Sequence, residues 1–178
     1  LIKGVETPSD DDLNNRYTRA SECYRDWKSR HMLSDEQRKC FYIYEQTFKS
    51  PIAGKKVRGL GFFALVKLQD FRSGKTRAFE MTYDSPKIDR LKLLRNTQIN
   101  DSPLFLLYKD PEQEINKVLE EMMDKKDPIE DFESDDGIHH RLWMIHKKDP
   151  ILKIHEAMKV KRLFIAHGHH RYETALKY

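Results

Sequence analysis

The run Lys161-Arg-Leu-Phe-Ile-Ala-His-Gly-His-His-Arg-Tyr-Glu-Thr-Ala-Leu-Lys-Tyr178 decides the reading of this chain. Leu163 to Ala166 is a short apolar run, the length of a buried strand. Gly168 follows, then His169, His170 and Arg171, and Tyr172 to Leu176 has a helix-forming composition. The run therefore reads as strand, glycine turn, helix. At such a junction the first helical N–H groups lack partners within the helix and the helix end is positive, so an anion is favoured there. Arg171 adds a planar fork that grips a phosphate or carboxylate at two points. Two neighbouring imidazoles donate, accept or titrate near neutral pH. Taken singly, these are a turn glycine and surface histidines; together, in one turn after a buried strand, they carry more weight.

Upstream, Pro150 to Lys159 reads as a short helix. Asp135-Asp-Gly137 is a hairpin turn between Ile129–Phe132 and His139–His146. Pro111 opens a helix to about Lys125, with Ile115, Val118, Leu119 and Met122 on one face. Leu104 to Tyr108 is a fully apolar strand. Pro86 suits the first turn of a helix reaching Asn96, capped by Asp84 or Ser85. Three segments, Phe41–Phe48, Val57–Leu68 and Lys75–Thr82, are strand-like and separated by turns, which predicts an antiparallel meander. Gly59 and Gly61 within the second suggest a bulge or close backbone approach; a phosphate-binding role for them is the weaker reading. Residues 12–31 read as a helix capped by Ser9 or Asp10, with Leu13, Tyr17, Ala20, Tyr24 and Trp27 on its apolar face and Met32 in the core. The whole is a mixed α+β domain over residues 1–178.

The chain has 178 residues, 38% hydrophobic and 35% charged, with a net charge of +4. That is enough for one domain with a proper core. Basic and acidic residues are interleaved, so a nucleic-acid partner is not expected. No apolar span approaches 18 residues and no signal peptide is evident, so a cytoplasmic protein with no membrane partner is expected. Cys23 and Cys40 lack metal-ligand spacing. The first residue, Leu1, and the last, Tyr178, which falls inside a helix, suggest a piece of a longer chain.

A second constellation comprises Glu80, Thr82, Lys87, Asp89 and Arg90. Glu80 is expected at a strand end just before a helix N-terminus. Lys87 and Arg90 are three residues apart on that helix and can face one site. A carboxylate beside phosphate-binding cations is what a general base for hydroxyl phosphorylation requires. The plainer reading is a solvated strand residue and a solvated helix face.

The segment Ile165-Ala-His-Gly-His-His-Arg-Tyr-Glu-Thr-Ala-Leu176 resembles the Asp-Gly-His-His-Arg motif of the free serine kinase group of the ParB/sulfiredoxin-like superfamily. More closely, it resembles domain-of-unknown-function family 1015. Phe79-Glu-Met-Thr82 with Lys87, Asp89 and Arg90, Asn100-Asp-Ser-Pro-Leu-Phe105 and Asp136-Gly-Ile-His-His-Arg-Leu-Trp143 are similar to further segments of that family. The resemblance implies a ParB/sulfiredoxin-like fold in which the 136–143 hairpin packs by the strand leading to the glycine turn. It also implies a Gly-x-x-Arg turn that cradles nucleotide phosphates and a catalytic base at Glu80. His167 stands where the group has an acid, and Phe79 where it has a His. The family is longer at both ends.

These readings combine into a nucleotide-binding, phosphotransferase-like domain acting on a small hydroxylated metabolite, as a serine kinase does. Glu80 and His167 are the candidate catalytic residues. Gly168, His169, His170, Arg171, Lys87, Arg90 and Thr82 are the candidate phosphate ligands. Mg²⁺ and an adenine nucleotide, ADP or ATP, are the expected cofactors. A homodimer is the assembly considered. The alternative is a non-catalytic nucleotide- or anion-binding regulatory module, which His167 favours because it cannot hold Mg²⁺ as an acid would. A transition-metal site from His167, His169 and His170 is a weaker reading, since a turn lacking Cys or carboxylate partners is poor ligand geometry. No G-x-S-x-G, H-E-x-x-H or Walker A sequence is present, and no Cys lies in the Gly-His-His-Arg turn, which argues against sulfiredoxin chemistry.

Overall fold

Five α-helices and two sheets make up a computed structural model of the chain, which describes residues 4–178 and is mixed α+β as expected. The chain divides into two compact units, each with its own sheet. One takes the described residues of Leu1–Asp35 together with Leu68–Tyr108 and Arg162–Tyr178; the other takes Glu36–Lys67 and Lys109–Lys161.

The second unit is built on β1 (Phe41–Lys49) and β2 (Lys56–Phe63), then α3 (Glu114–Met123), β5 (Glu130–Glu133), β6 (His139–Ile145) and α4 (Lys148–Lys159). Its strands run antiparallel in the order β2-β1-β6-β5. The β1–β2 register is unbroken, Gly59 facing Gln46 and Gly61 facing Tyr44. A Cβ at Gly61 would meet nothing within 4 Å, so neither the expected bulge nor a close approach is there. The 135–137 turn closes the β5–β6 hairpin, with Gly137 at φ 76°, which favours glycine. That hairpin pairs with β1 and not with the strand before the glycine turn. Ile43, Trp143, Ile145, Ile115, Leu119 and Ile154 are buried. Each such side chain stabilises by about 1.5–3 kcal/mol, against roughly 0–1 kcal/mol for an exposed ion pair. Glu45, 1% exposed, is gripped by Arg58 and Arg141, and Arg58 also reaches Glu120 at 3.0 Å.

Helix α3 starts three residues later than Pro111 predicts, because Asp110 takes over as the cap. Its carboxylate accepts from the N–H groups of Glu114, Ile115 and Asn116 at 3.2, 3.0 and 3.4 Å. Lys161 Nζ lies 2.9 Å away. Burial pushes the Asp110 carboxyl up, but the Lys161 hydrogen bond and the helix amides outweigh it and hold it below its ordinary value.

The first unit contains α1 (Arg16–Ser29), β3 (Thr76–Arg77), α2 (Asp84–Thr97), β4 (Phe105–Tyr108), β7 (Leu163–His167) and α5 (His169–Lys177). Asn15, not Ser9 or Asp10, caps α1: its side chain accepts from Tyr17 and Thr18 N–H while the Thr18 hydroxyl accepts from Asn15 N–H. Leu13 therefore precedes the helix and is 87% exposed; Met32, expected in the core, is 60% exposed. The predicted meander is corrected. The strand after β2 is cut to Thr76–Arg77 and pairs parallel with β7 in the other sheet, ordered β3-β7-β4. Residues 78–83 leave the sheet because their polar groups bond to α5 instead. β7 is the central strand, and Ile165 on it is fully buried. β4 forms as read and is an edge strand, which leaves Phe105 and Leu107 half-exposed. Helix α2 packs against both α1 and α5, burying Leu91, Leu93, Leu94 and Thr97. No helix among the described residues is long and apolar enough to cross a membrane.

Candidate functional site

The strand–turn–helix forms as read. β7 ends at His167, and Gly168 takes φ +104° to cap α5 with no side chain bonded to the helix amides. An L-side chain rarely adopts that angle. A Cβ at Gly168 would also lie 2.7 Å from Leu104 Cδ2 and 2.9 Å from Arg171 Nη2. The guanidinium of Arg171 thus lies directly over the glycine. It donates from Nη2 to His167 Nδ1 at 3.1 Å, which makes that imidazole nitrogen an acceptor.

Arg90 of α2 lies close enough to Arg171 to repel it. Burial, then the Arg90 charge, lower the Arg171 pKa, and Asp101 partly opposes this. Among the described residues neither arginine has a carboxylate within ion-pair distance. Arg171 is thus a partly buried cation at a helix N-terminus whose cap, Gly168, offers no side chain, and Asp101 only partly offsets its charge.

The segment from Phe79 to Lys87 runs along the first turns of α5. Glu80 Oε2 lies 2.8 Å from His169 Nδ1. The direction is poor for hydrogen bonding, so both ring nitrogens of His169, 1% exposed, are without a hydrogen-bond partner. Phe79 meets His169 edge-on at 5.0 Å, and Tyr83 stacks on His170 at 6.4 Å with the rings 18° apart. Tyr83 N–H donates to His170 Nε2 at 3.1 Å. Thr82 Oγ1 donates to Glu173 Oε2 at 2.7 Å, and Lys87 Nζ lies 3.1 Å from the same oxygen and from Asp84. The Glu173 and Asp84 hydrogen bonds, in that order, raise the Lys87 pKa.

Every candidate residue therefore lies in one unit, and all are drawn to the start of α5. The roles divide. Arg171, Arg90 and the backbone of Gly168 to Arg171 form the uncompensated positive turn. His167 lies on its exposed rim. The rings of His169 and His170 turn toward Phe79 and Tyr83. Glu80, expected at a strand end, sits in the 78–83 loop. Lys87 and Thr82 are held by Glu173. Asp89 leaves the group, bonded to Tyr17 at 2.9 Å and paired with Arg16. Glu173, Tyr83 and Asp101 were missed from sequence. The signal for Glu173 was its i,i+3 and i,i+4 spacing from His170 and His169 on α5.

No group of three or more metal-ligating side chains occurs among the described residues. A model of the family described as a protein of unknown function (DUF1015) matches residues 1–178. No curated protein and no solved structure was found to match the chain.

Proposed function

The chain belongs to the DUF1015 family along its whole length, and from the turn described above we propose that it binds the phosphates of an adenine nucleotide and acts as a phosphotransferase on a small hydroxylated metabolite. One observation carries this reading: the Arg171 guanidinium lies over Gly168 at the start of α5 and forms no ion pair among the described residues, while burial and the nearby Arg90 charge lower its pKa against a weaker opposing effect of Asp101. A phosphate answers both charges and the free helix amides at once. Gly168 lets the Arg171 guanidinium lie against the turn, since any Cβ there would clash with it and with Leu104.

Glu80 is 60% exposed beside the turn, in reach of a substrate hydroxyl, and takes its proton. His169 backs that carboxylate from the buried side. Nucleotide with Mg²⁺ would supply the phosphoryl group and the charge that stabilises its departure. The residues present fit a Mg²⁺ carried in on phosphates, with Glu80 beside His169 as a carboxylate at the site, because that ion needs one or two carboxylates and keeps its waters. Lys87 joins only when it exchanges Glu173 for the ligand.

A second reading is a non-catalytic regulatory module for the same ligand. It is favoured by His167, which accepts from Arg171 where an acid would be expected to serve catalysis.

Calorimetric titration with ADP, ATP and CTP, with and without Mg²⁺, tests the binding. Saturable binding that Arg171→Ala abolishes is the expected result; no binding of any nucleotide by the wild-type chain would sink both readings. Glu80→Gln separates them. Phosphorylation of a hydroxylated metabolite that disappears in this variant, with binding kept, marks the transferase; turnover equal in Glu80→Gln and wild type removes Glu80 as the base.

A further inference from the structure

Resting on that reading, the loop before α2 suggests where the rest of the ligand goes. Phe79, Met81 and Tyr83 are 76%, 86% and 73% exposed, three large apolar side chains at alternate positions. Between them Glu80 and Thr82 turn to α5, Glu80 to His169 and Thr82 to Glu173. The alternation is that of an extended segment whose polar side chains are anchored and whose apolar ones are left outward. The strip is held in place and not merely loose. Phe79 meets the His169 ring edge-on, and Tyr83 is fixed by its ring on His170 and its N–H to His170 Nε2.

These contacts tie the strip to the first two residues of α5, immediately beside the glycine turn. The two aromatic rings thus contact the two residues that follow Gly168 in the chain. At the same helix end His169 is buried, its Nδ1 2.8 Å from Glu80 Oε2 and its Nε2 without a hydrogen-bond partner.

We propose that Phe79, Met81 and Tyr83 form the platform for the aromatic base of the phosphate-bound ligand. Bases stack favourably on aromatic side chains, and a ligand bearing both a flat heterocycle and phosphates matches a strip and a cationic turn joined at the same helix end.

The test compares ADP with pyrophosphate and ribose 5-phosphate, by calorimetry on the wild-type chain and on Tyr83→Ala, Met81→Ser and Arg171→Ala. The expected result is ADP binding at least tenfold tighter than pyrophosphate, with Tyr83→Ala and Met81→Ser erasing that advantage while leaving pyrophosphate binding unchanged. Equal binding of ADP and pyrophosphate, or an ADP advantage that both variants retain, overturns the platform and leaves the phosphate turn standing. Failure of all three ligands to bind overturns the phosphate turn and the platform with it. Circular dichroism of each variant confirms that a lost advantage reflects the strip and not unfolding; Tyr83→Phe, which keeps a stacking ring, is expected to restore it.

Discussion

The carboxylate of Glu173 lies 3.1 Å from Lys87 Nζ, so the lysine that the sequence offers to a phosphate is already paired across α2 and α5. The same oxygen accepts from Thr82. Glu173 thus occupies the position on these two donors that a phosphate oxygen would take, and a ligand must displace it or leave Lys87 out.

Glu173→Gln is therefore expected to tighten anion binding, since it removes a competing negative charge and releases Lys87. The gain should be several-fold at low salt and shrink as salt is raised. The effect on stability should stay within about 1 kcal/mol, because both side chains are a quarter exposed. Pyrophosphate titration at two ionic strengths checks it; unchanged affinity at low salt would mean that Lys87 takes no part.

Gly168→Ala is expected to lose anion binding and about 1–3 kcal/mol of stability. The added Cβ meets Leu104 and the Arg171 guanidinium, on a backbone at φ +104°. Chemical denaturation alongside calorimetry checks both effects. An alanine variant of wild-type stability and affinity would show that the turn relaxes to accommodate it.

Tyr172 is fully buried, stacked on Phe71 at 5.2 Å, and its hydroxyl donates to the Gln69 carbonyl at 2.8 Å while accepting from Gln69 N–H at 3.1 Å. Tyr172→Phe keeps the packing and leaves two backbone groups short of a partner. The expected cost is about 1–3 kcal/mol, read as a lower urea midpoint with unchanged slope.

The Asp110 cap gives acid sensitivity to the second unit. Its carboxyl titrates below the usual value when folded, so its contribution is complete above about pH 4 and lost as pH falls through the lowered folded value. Lys161, raised chiefly by Asp110, contributes up to its ordinary pKa and loses that contribution only at higher, strongly alkaline pH. Asp110→Asn keeps an acceptor oxygen but removes the charge that faces Lys161 and the start of α3, and is expected to cost about 1 kcal/mol at pH 7, a deficit that closes as pH falls through the lowered folded value. Denaturation midpoints of both proteins from pH 2 to 7 check this; parallel curves across the range would count against a charged cap.

Local sequence was enough for the elements whose cause is local. The β7 apolar run, the Gly168 turn and α5 follow from hydrophobicity and from the one residue type that takes φ +104° freely. The 135–137 hairpin is equally local, since its turn dictates it. Helix starts were less legible, because Asn15 and Asp110 compete with several nearby caps of similar chemistry.

Sequence by itself thus determined an α+β chain with a strand, glycine turn and helix at its end, and it singled out Arg171, Arg90 and Glu80 as residues to watch. Tertiary structure decided partners. The third strand pairs with β7 and not in a meander, because strand pairing joins residues distant in sequence and no local pattern names the neighbour. It also decided which charges are paired: Lys87 and Asp89 pair with Glu173 and Arg16, while Arg171 and Arg90 form no ion pair among the described residues. The physical reason is that a charge's availability depends on what lies within a few ångströms of it in space, which spacing along one helix cannot reveal.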